Sequence, residues 1–231
     1  CEVSPVALDL NGDGKIGVTG ETSSPDKSNL FTIGATVMFD IDGDGVEDEI
    51  EWFDGSGDGI LVDNRDGLAA EDMDGTRLFG DAAGTYSDGY DNLSQLDTDS
   101  DGVLTGVELE GLELWVDDGD AVVQDGELVT LDEVGVVSIS TTREDVVGED
   151  GKTYIRSSAE LEDGSVMMTE DVWFEDATTF LGDDRDIADL LPGQEAEIIS
   201  GAMAPEGTAD TNVNLDLANA FDPAQVFVVD E

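Results

Sequence analysis

Short runs of apolar residues alternate along the chain with turns rich in glycine and aspartate. Such runs, when they contain β-branched and bulky residues and are flanked by turn formers, predict β-strands. The candidate strands are 6–10, 35–39, 59–62, 112–116, 136–140, 153–156, 158–161, 171–174 and 225–229.

Helical periodicity is less frequent. In segment 88–96, Tyr90, Leu93 and Leu96 recur at spacings of three, which predicts a short helix. Segments 105–112 and 128–134 are two further candidate helices. This mixture of short strands and short helices predicts an α+β fold.

Two loops match the EF-hand calcium template at every demanded position. The template needs oxygens at positions 1, 3, 5, 7 and 9, glycine at 6 and a two-oxygen glutamate at 12. Random placement of residues with this composition would give on the order of 0.01 such matches in the chain. The first loop assigns Asp40, Asp42, Asp44, the carbonyl of Val46, Asp48 and Glu51, and the second assigns Asp97, Asp99, Asp101, the carbonyl of Val103, Thr105 and Glu108.

Two further loops match the template in part. Asp9, Asn11 and Asp13 open a loop correctly, but Gly20 stands at position 12. A shortened variant contains Asp117, Asp120 and Glu127. The acidic segments 54–59 and 63–74 match less well and are interpreted as solvated loops, since a calcium site needs converging oxygens. The sequence therefore predicts at least two Ca²⁺ sites and up to four.

Composition narrows the possible chemistry. The chain has 8 basic and 58 acidic residues, a formal charge of −50, which excludes nucleic acid as a partner. The chain has no histidine, which excludes histidine-dependent catalysis, and its one cysteine excludes an internal disulfide and a thiolate metal cluster. Oxygen ligands remain, and their number and flexibility favour calcium over magnesium. The acidic excess is also typical of proteins from saline habitats.

The N-terminal residue, Cys1, resembles the lipid-carrying cysteine of a processed bacterial lipoprotein, although an arbitrary fragment boundary explains it equally well. Lipid on Cys1 would attach the chain to a membrane. We therefore expect a secreted or cell-surface protein with three parts. These are an N-terminal edge (1–4), a calcium-binding module (5–176) and a loosely ordered acidic extension (177–231).

Several motifs in order resemble the self-processing module of RTX proteins, the iron-regulated FrpC type. They include Pro5–Gly14, Asp58–Val62, Leu96–Val103, Gly126–Leu131 and Asp171–Phe174. The resemblance implies calcium-triggered cleavage of an Asp-Pro bond at the module's N-terminal edge. In this chain Ser4 stands before Pro5, where the family has the cleavage-site aspartate. The resemblance therefore implies the calcium sites and the fold of the module, but argues against its cleavage activity.

The leading hypothesis is a binding module in which calcium is structural, with no enzymatic activity. The alternative is a self-processing module that Ser4 inactivates. An intracellular calcium sensor would expose a methionine-rich groove, and only Met167 and Met168 cluster here. A hydrolase with paired carboxylates has no motif to support it, because 58 acidic residues make such pairs inevitable.

Overall fold

The computed structural model describes residues 4–27, 32–82 and 84–177. Cys1 lies outside these residues, and so does the predicted extension 177–231 with its candidate strand, apart from Ala177. None of the helices in the described ranges is long and apolar enough to cross a membrane.

Strands dominate the described residues. The eleven strands are β1 Val6–Leu8, β2 Thr36–Phe39, β3 Asp48–Glu51, β4 Gly59–Asp63, β5 Val103–Thr105, β6 Leu112–Trp115, β7 Leu128–Thr130, β8 Val136–Ser140, β9 Glu144–Val147, β10 Thr153–Leu161 and β11 Val166–Asp171. The two α-helices are α1 Gly89–Leu93 and α2 Leu131–Val134. Single turns of 3-10 helix occur at Gly75–Arg77, Ser94–Leu96 and Gly106–Glu108.

Nine of these strands form one antiparallel sheet. Its order is β5-β8-β10-β11-β1-β4-β6-β7, and β9 pairs with β10 beside this path. The first strand lies between β11, from the far end of the module, and β4. Strands β2 and β3 form a separate two-stranded ribbon. The sheet therefore joins the beginning and the end of the module at its centre.

The predicted α+β fold is wrong, because the described residues are mostly antiparallel β-structure. Segment 105–112 cannot continue as a helix, since Gly106 and Gly111 have φ angles of +50° and +78°. Segment 128–134 divides into β7 and one turn of α2, which ends at Gly135 in the left-handed conformation. Apolar spacing alone did not reveal these breaks.

Both faces of the central strands are buried. Alternate residues of neighbouring strands contribute to two apolar clusters: Ala7 and Ile60 belong to one, and Leu8 and Leu61 to the other. The first cluster is aromatic and contains Trp52, with its ring 5.8 Å from that of Trp115 between centroids. This aromatic cluster lies beside the acidic loops described next.

Candidate metal centres

The first complete loop connects β2 to β3 in the ribbon. One carboxylate oxygen from each of Asp40, Asp42 and Asp44 lies within 4.8 Å of the others. The turn holds Asp40 in place, because the backbone N–H groups of Asp44 and Gly45 donate to its carboxylate at 3.0 and 2.9 Å. The predicted carbonyl ligand belongs to Val46, whose N–H donates to Asp44 at 2.8 Å. The first half of this loop is therefore arranged as the template requires.

Glu51, the predicted closing residue of that loop, lies elsewhere. Its carboxylate is buried and accepts hydrogen bonds from the N–H groups of Gly34, at 2.8 Å, and Glu175, at 3.2 Å. The ammonium of Lys27 lies 3.9 Å from it. The EF-hand template has a compact helix before position 12, whereas residues 48–51 are extended here. Glu51 therefore stabilises the fold through backbone hydrogen bonds and does not join the three aspartates.

Two other carboxylates lie near the same aspartates. Burial and then the charge of Asp42 raise the pKa of the predicted ligand Asp48. Asp176 also contributes to this rise, so it lies within electrostatic reach of the loop. The sequence analysis did not select Asp176, which reaches the ribbon through a β-bridge with Ile50.

The second complete loop keeps its closing glutamate. Carboxylate oxygens of Asp97, Asp99 and Glu108 lie within 4.8 Å of one another. The N–H groups of Thr98, at 2.7 Å, and Thr105, at 3.1 Å, donate to Glu108, and hydrogen bonds from Thr105 and Thr98 lower its pKa. The 3-10 turn Gly106–Glu108 supplies the compact chain that brings Glu108 back to the loop.

Asp101 and Val103, also predicted ligands of the second loop, make other contacts in the structure. The carboxylate of Asp101 accepts from the N–H of Val103 at 2.9 Å and is not among the converging oxygens. Val103 itself begins β5 and pairs with Ser140.

The shortened loop forms a third group of carboxylates, in which Asp118 takes the place of the predicted Asp120. Asp117, Asp118 and Glu127 converge within 4.8 Å. Predicted Asp120 instead accepts from the N–H of Val122 at 2.9 Å and from the side-chain amide of Gln124 at 3.1 Å. The register of a shortened loop has no template, so the sequence alone did not distinguish Asp118 from Asp120.

The third group touches the aromatic cluster directly. The indole N–H of Trp52 donates to Asp117 at 2.8 Å, and that of Trp115 donates to Glu127 at 3.2 Å. Asp117 is only 3% exposed, and its Oδ1 atom has no hydrogen-bond partner. Burial raises its pKa, while the Trp52 indole opposes that rise. This group therefore contains a buried carboxylate oxygen that a cation would satisfy.

The partial loop near the N-terminus is also ordered. Asp9 is buried and accepts from the N–H groups of Gly12 and Gly14 at 2.8 and 2.9 Å. The N–H of Asp13 donates to the side chain of Asn11 at 2.9 Å. This loop is not one of the three converging carboxylate groups found in the described residues.

Comparison with known proteins adds a family to this geometry. The SPM domain family matches residues 6–175, which contain every described strand and all four loops. The chain belongs to the SPM domain family. This membership supports the relation to FrpC-type modules that the short motifs indicated.

The iron-regulated protein FrpA of Neisseria meningitidis serogroup C is 31% identical to this chain over 150 residues. The match covers 62% of this chain and 12% of FrpA, so the chain spans a small part of that relative's length.

The N-terminal edge of the SPM domain is buried. Ser4 is 1% exposed, and a side chain at Gly80 would collide with its carbonyl oxygen. The Pro5 carbonyl accepts from the N–H of Val172 at 2.9 Å. Close by, burial raises the pKa of Asp171 to about 7. The Ser4–Pro5 bond is therefore held against the last sheet strand.

Proposed function

We propose that this SPM domain is a calcium-binding module that acts outside the cell, in which the ions are part of the folded structure. The observation that carries the proposal is that carboxylates converge in three separate clusters, one in each of three loops. Oxygen-only donor sets of this kind suit calcium. The buried, unpartnered oxygen of Asp117 supports a cation at the deepest of the three.

The position of the loops suggests how calcium would act. One loop joins β2 to β3, one leads from α1 towards β5, and one joins β6 to β7. Without a cation, the converging carboxylates repel one another and oppose closure of these connections. With calcium, each loop closes, so the free energy of binding adds to the free energy of folding.

The extracellular role of the module makes a weak calcium affinity the expected one. Extracellular calcium modules bind at about 10⁻⁴ to 10⁻³ M, so their sites fill outside cells and remain empty in the cytoplasm. Such a module would fold mainly after export. A saline habitat remains a further prediction.

Self-processing is the second candidate, and membership of the SPM family favours it. The related modules require an aspartate before the proline, where this chain has Ser4. We therefore propose that the calcium-binding role is retained while the cleavage is not. The intact mass of the protein should remain unchanged during incubation with calcium, and a calcium-dependent cleavage at Ser4–Pro5 would contradict this part of the proposal.

The test of calcium binding is a titration of the EDTA-treated protein, followed by circular dichroism and tryptophan fluorescence. We expect β-structure and the buried environment of the tryptophans to return with calcium but not with equal concentrations of magnesium. Sodium chloride at high and low concentration is the control for general charge screening. Structure that ignores calcium and follows sodium chloride would show that the acidic loops are a solvated surface.

A further inference from the structure

Asp58 is a buried carboxylate outside the four predicted loop sites. It immediately precedes β4 and is 6% exposed. Its Oδ2 atom accepts from the N–H of Gly17 at 2.9 Å and from the hydroxyl of Ser56 at 3.2 Å. Its Oδ1 atom is buried and has no hydrogen-bond partner. An unpartnered carboxylate oxygen is costly to bury, which suggests that an ion binds there.

The sheet register places a second carboxylate opposite Asp58. Strands β1 and β4 are antiparallel and their last pair is Leu8 with Gly59, so the same register extended by one residue places Asp9 opposite Asp58. Directly opposed side chains have Cβ atoms about 4.5–5.5 Å apart, and like charges in such positions destabilise a sheet. Asp9 is also only 6% exposed, so water screens the pair weakly.

The nearby lysine does not neutralise this pair. The ammonium of Lys15 lies 4.0 Å from the carboxylate of Asp13, and its side chain is 70% exposed. Asp13 is itself on the exposed side of the loop. Backbone N–H groups of Gly12, Asp13 and Gly14 satisfy the Asp9 carboxylate, whereas Asp58 keeps one unpartnered oxygen. Lys15 therefore leaves the two buried charges to a cation between the strands.

We propose that Asp58 closes a fourth divalent-cation site, opened by Asp9, Asn11 and Asp13, and that the ion is calcium. This inference rests on the proposed calcium-binding function and adds a ligand from a distant part of the chain. Asp58 takes the place of the acidic residue missing at Gly20. The two loops already meet, since the side-chain amide of Asn11 lies 3.5 Å from the carbonyl of Ser56. The ion would link β1 to β4 at the centre of the sheet.

The test counts the calcium ions bound by the full chain, by equilibrium dialysis with calcium alone. Asp58→Asn should bind one ion fewer than the unsubstituted protein. The matched control is Asp54→Asn, which removes an exposed charge from the same loop and should leave the number unchanged. Asp9→Asn is the second variant, and it should remove the same single ion, so that the double variant binds as many ions as either single one.

The outcomes separate this inference from the proposed function. If the unsubstituted protein binds no calcium, the proposed function fails and the fourth site fails with it. If it binds calcium and Asp58→Asn binds equally many ions, the fourth site alone is overturned. If Asp58→Asn does not fold, the count for Asp9→Asn decides, and an unchanged count overturns the inference.

Discussion

Asp117→Asn removes one charge from the metal group that touches the aromatic cluster. The asparagine retains an oxygen that can accept from the Trp52 indole, so the change mainly removes a carboxylate ligand. Asp120→Asn is the matched control, because it removes a charge three residues away that does not join the converging group. The Asp120 variant also tests the sequence-based assignment, which selected Asp120 as a ligand where the structure has Asp118.

The expected magnitude follows from linkage. A site with a dissociation constant of about 10⁻⁴ to 10⁻³ M stabilises the fold by about 1.4–2.7 kcal/mol at about 10 mM calcium. Each filled site also adds about 1.4 kcal/mol to the free energy of unfolding for every tenfold rise in calcium. Asp117→Asn should therefore lower the stability in calcium by about 1.4–2.7 kcal/mol and reduce this slope by one site. Asp120→Asn should change the stability by less than about 0.5 kcal/mol.

The assay is urea unfolding monitored by tryptophan fluorescence over a hundredfold range of calcium concentration. Where the metal-free protein is still folded, Asp117→Asn should be as stable as the unsubstituted protein or more so, because it removes a buried charge. An unchanged calcium slope for Asp117→Asn would refute the assignment of Asp117 as a ligand. A reduced slope for Asp120→Asn would show that the sequence-based assignment was the better one.

Three further predictions concern residues outside the converging groups. Glu51→Gln should leave the number of bound calcium ions unchanged but lower the urea midpoint by the equivalent of about 1–3 kcal/mol, because its buried carboxylate accepts two backbone N–H groups; loss of an ion would show that it is a ligand. The pKa of Asp171 is about 7 in the folded chain against 3.8 as the reference, so the folded state binds the extra proton between these values. At saturating calcium, Asp171 should contribute up to about 4 kcal/mol of stability near pH 4 that is lost as the pH rises to about 7, and Asp171→Asn should remove this contribution. Equal pH profiles for both proteins would contradict this. Ser4→Asp should give calcium-dependent cleavage before Pro5, seen as a new intact mass, and a stable mass would show that more than the aspartate is missing.

The opening half of each loop was predictable from sequence because its geometry is local. Backbone N–H groups two to five residues on bind the first aspartate, as in the bonds from Asp44 and Gly45 to Asp40, and this requires only the right residues at the right spacing. The closing half depends on the structure that follows. A 3-10 turn brings Glu108 back to its loop, while strand β3 carries Glu51 away, although both stand at position 12.

Contacts between distant segments were not predictable in the same way. Asp58 and Asp9 adjoin the same strand pair, Leu8 with Gly59, only because β1 pairs with β4 in one register, and a shift of one residue would separate them. The backbone carbonyl of Asp118 lies against Gly55, so the shortened loop packs on segment 54–59 through a contact that its own sequence does not reveal. The α+β prediction failed for a different, local reason, since positive φ angles at Gly106 and Gly111 interrupt the helix expected over 105–112.

Charge neutralisation cannot explain on its own why calcium would stabilise this chain. Four divalent ions would neutralise about eight of its 50 net negative charges. Repulsion among the remaining surface carboxylates is therefore reduced mainly by dissolved salt, which screens all exposed charges and does not select the loop sites. The effect of calcium is local, because the ion compensates carboxylates such as Asp58 and Asp117, each of which is buried with one oxygen that has no hydrogen-bond partner. Sodium chloride and calcium should consequently stabilise the protein additively, since screening of the surface does not supply ligand bonds to a buried oxygen.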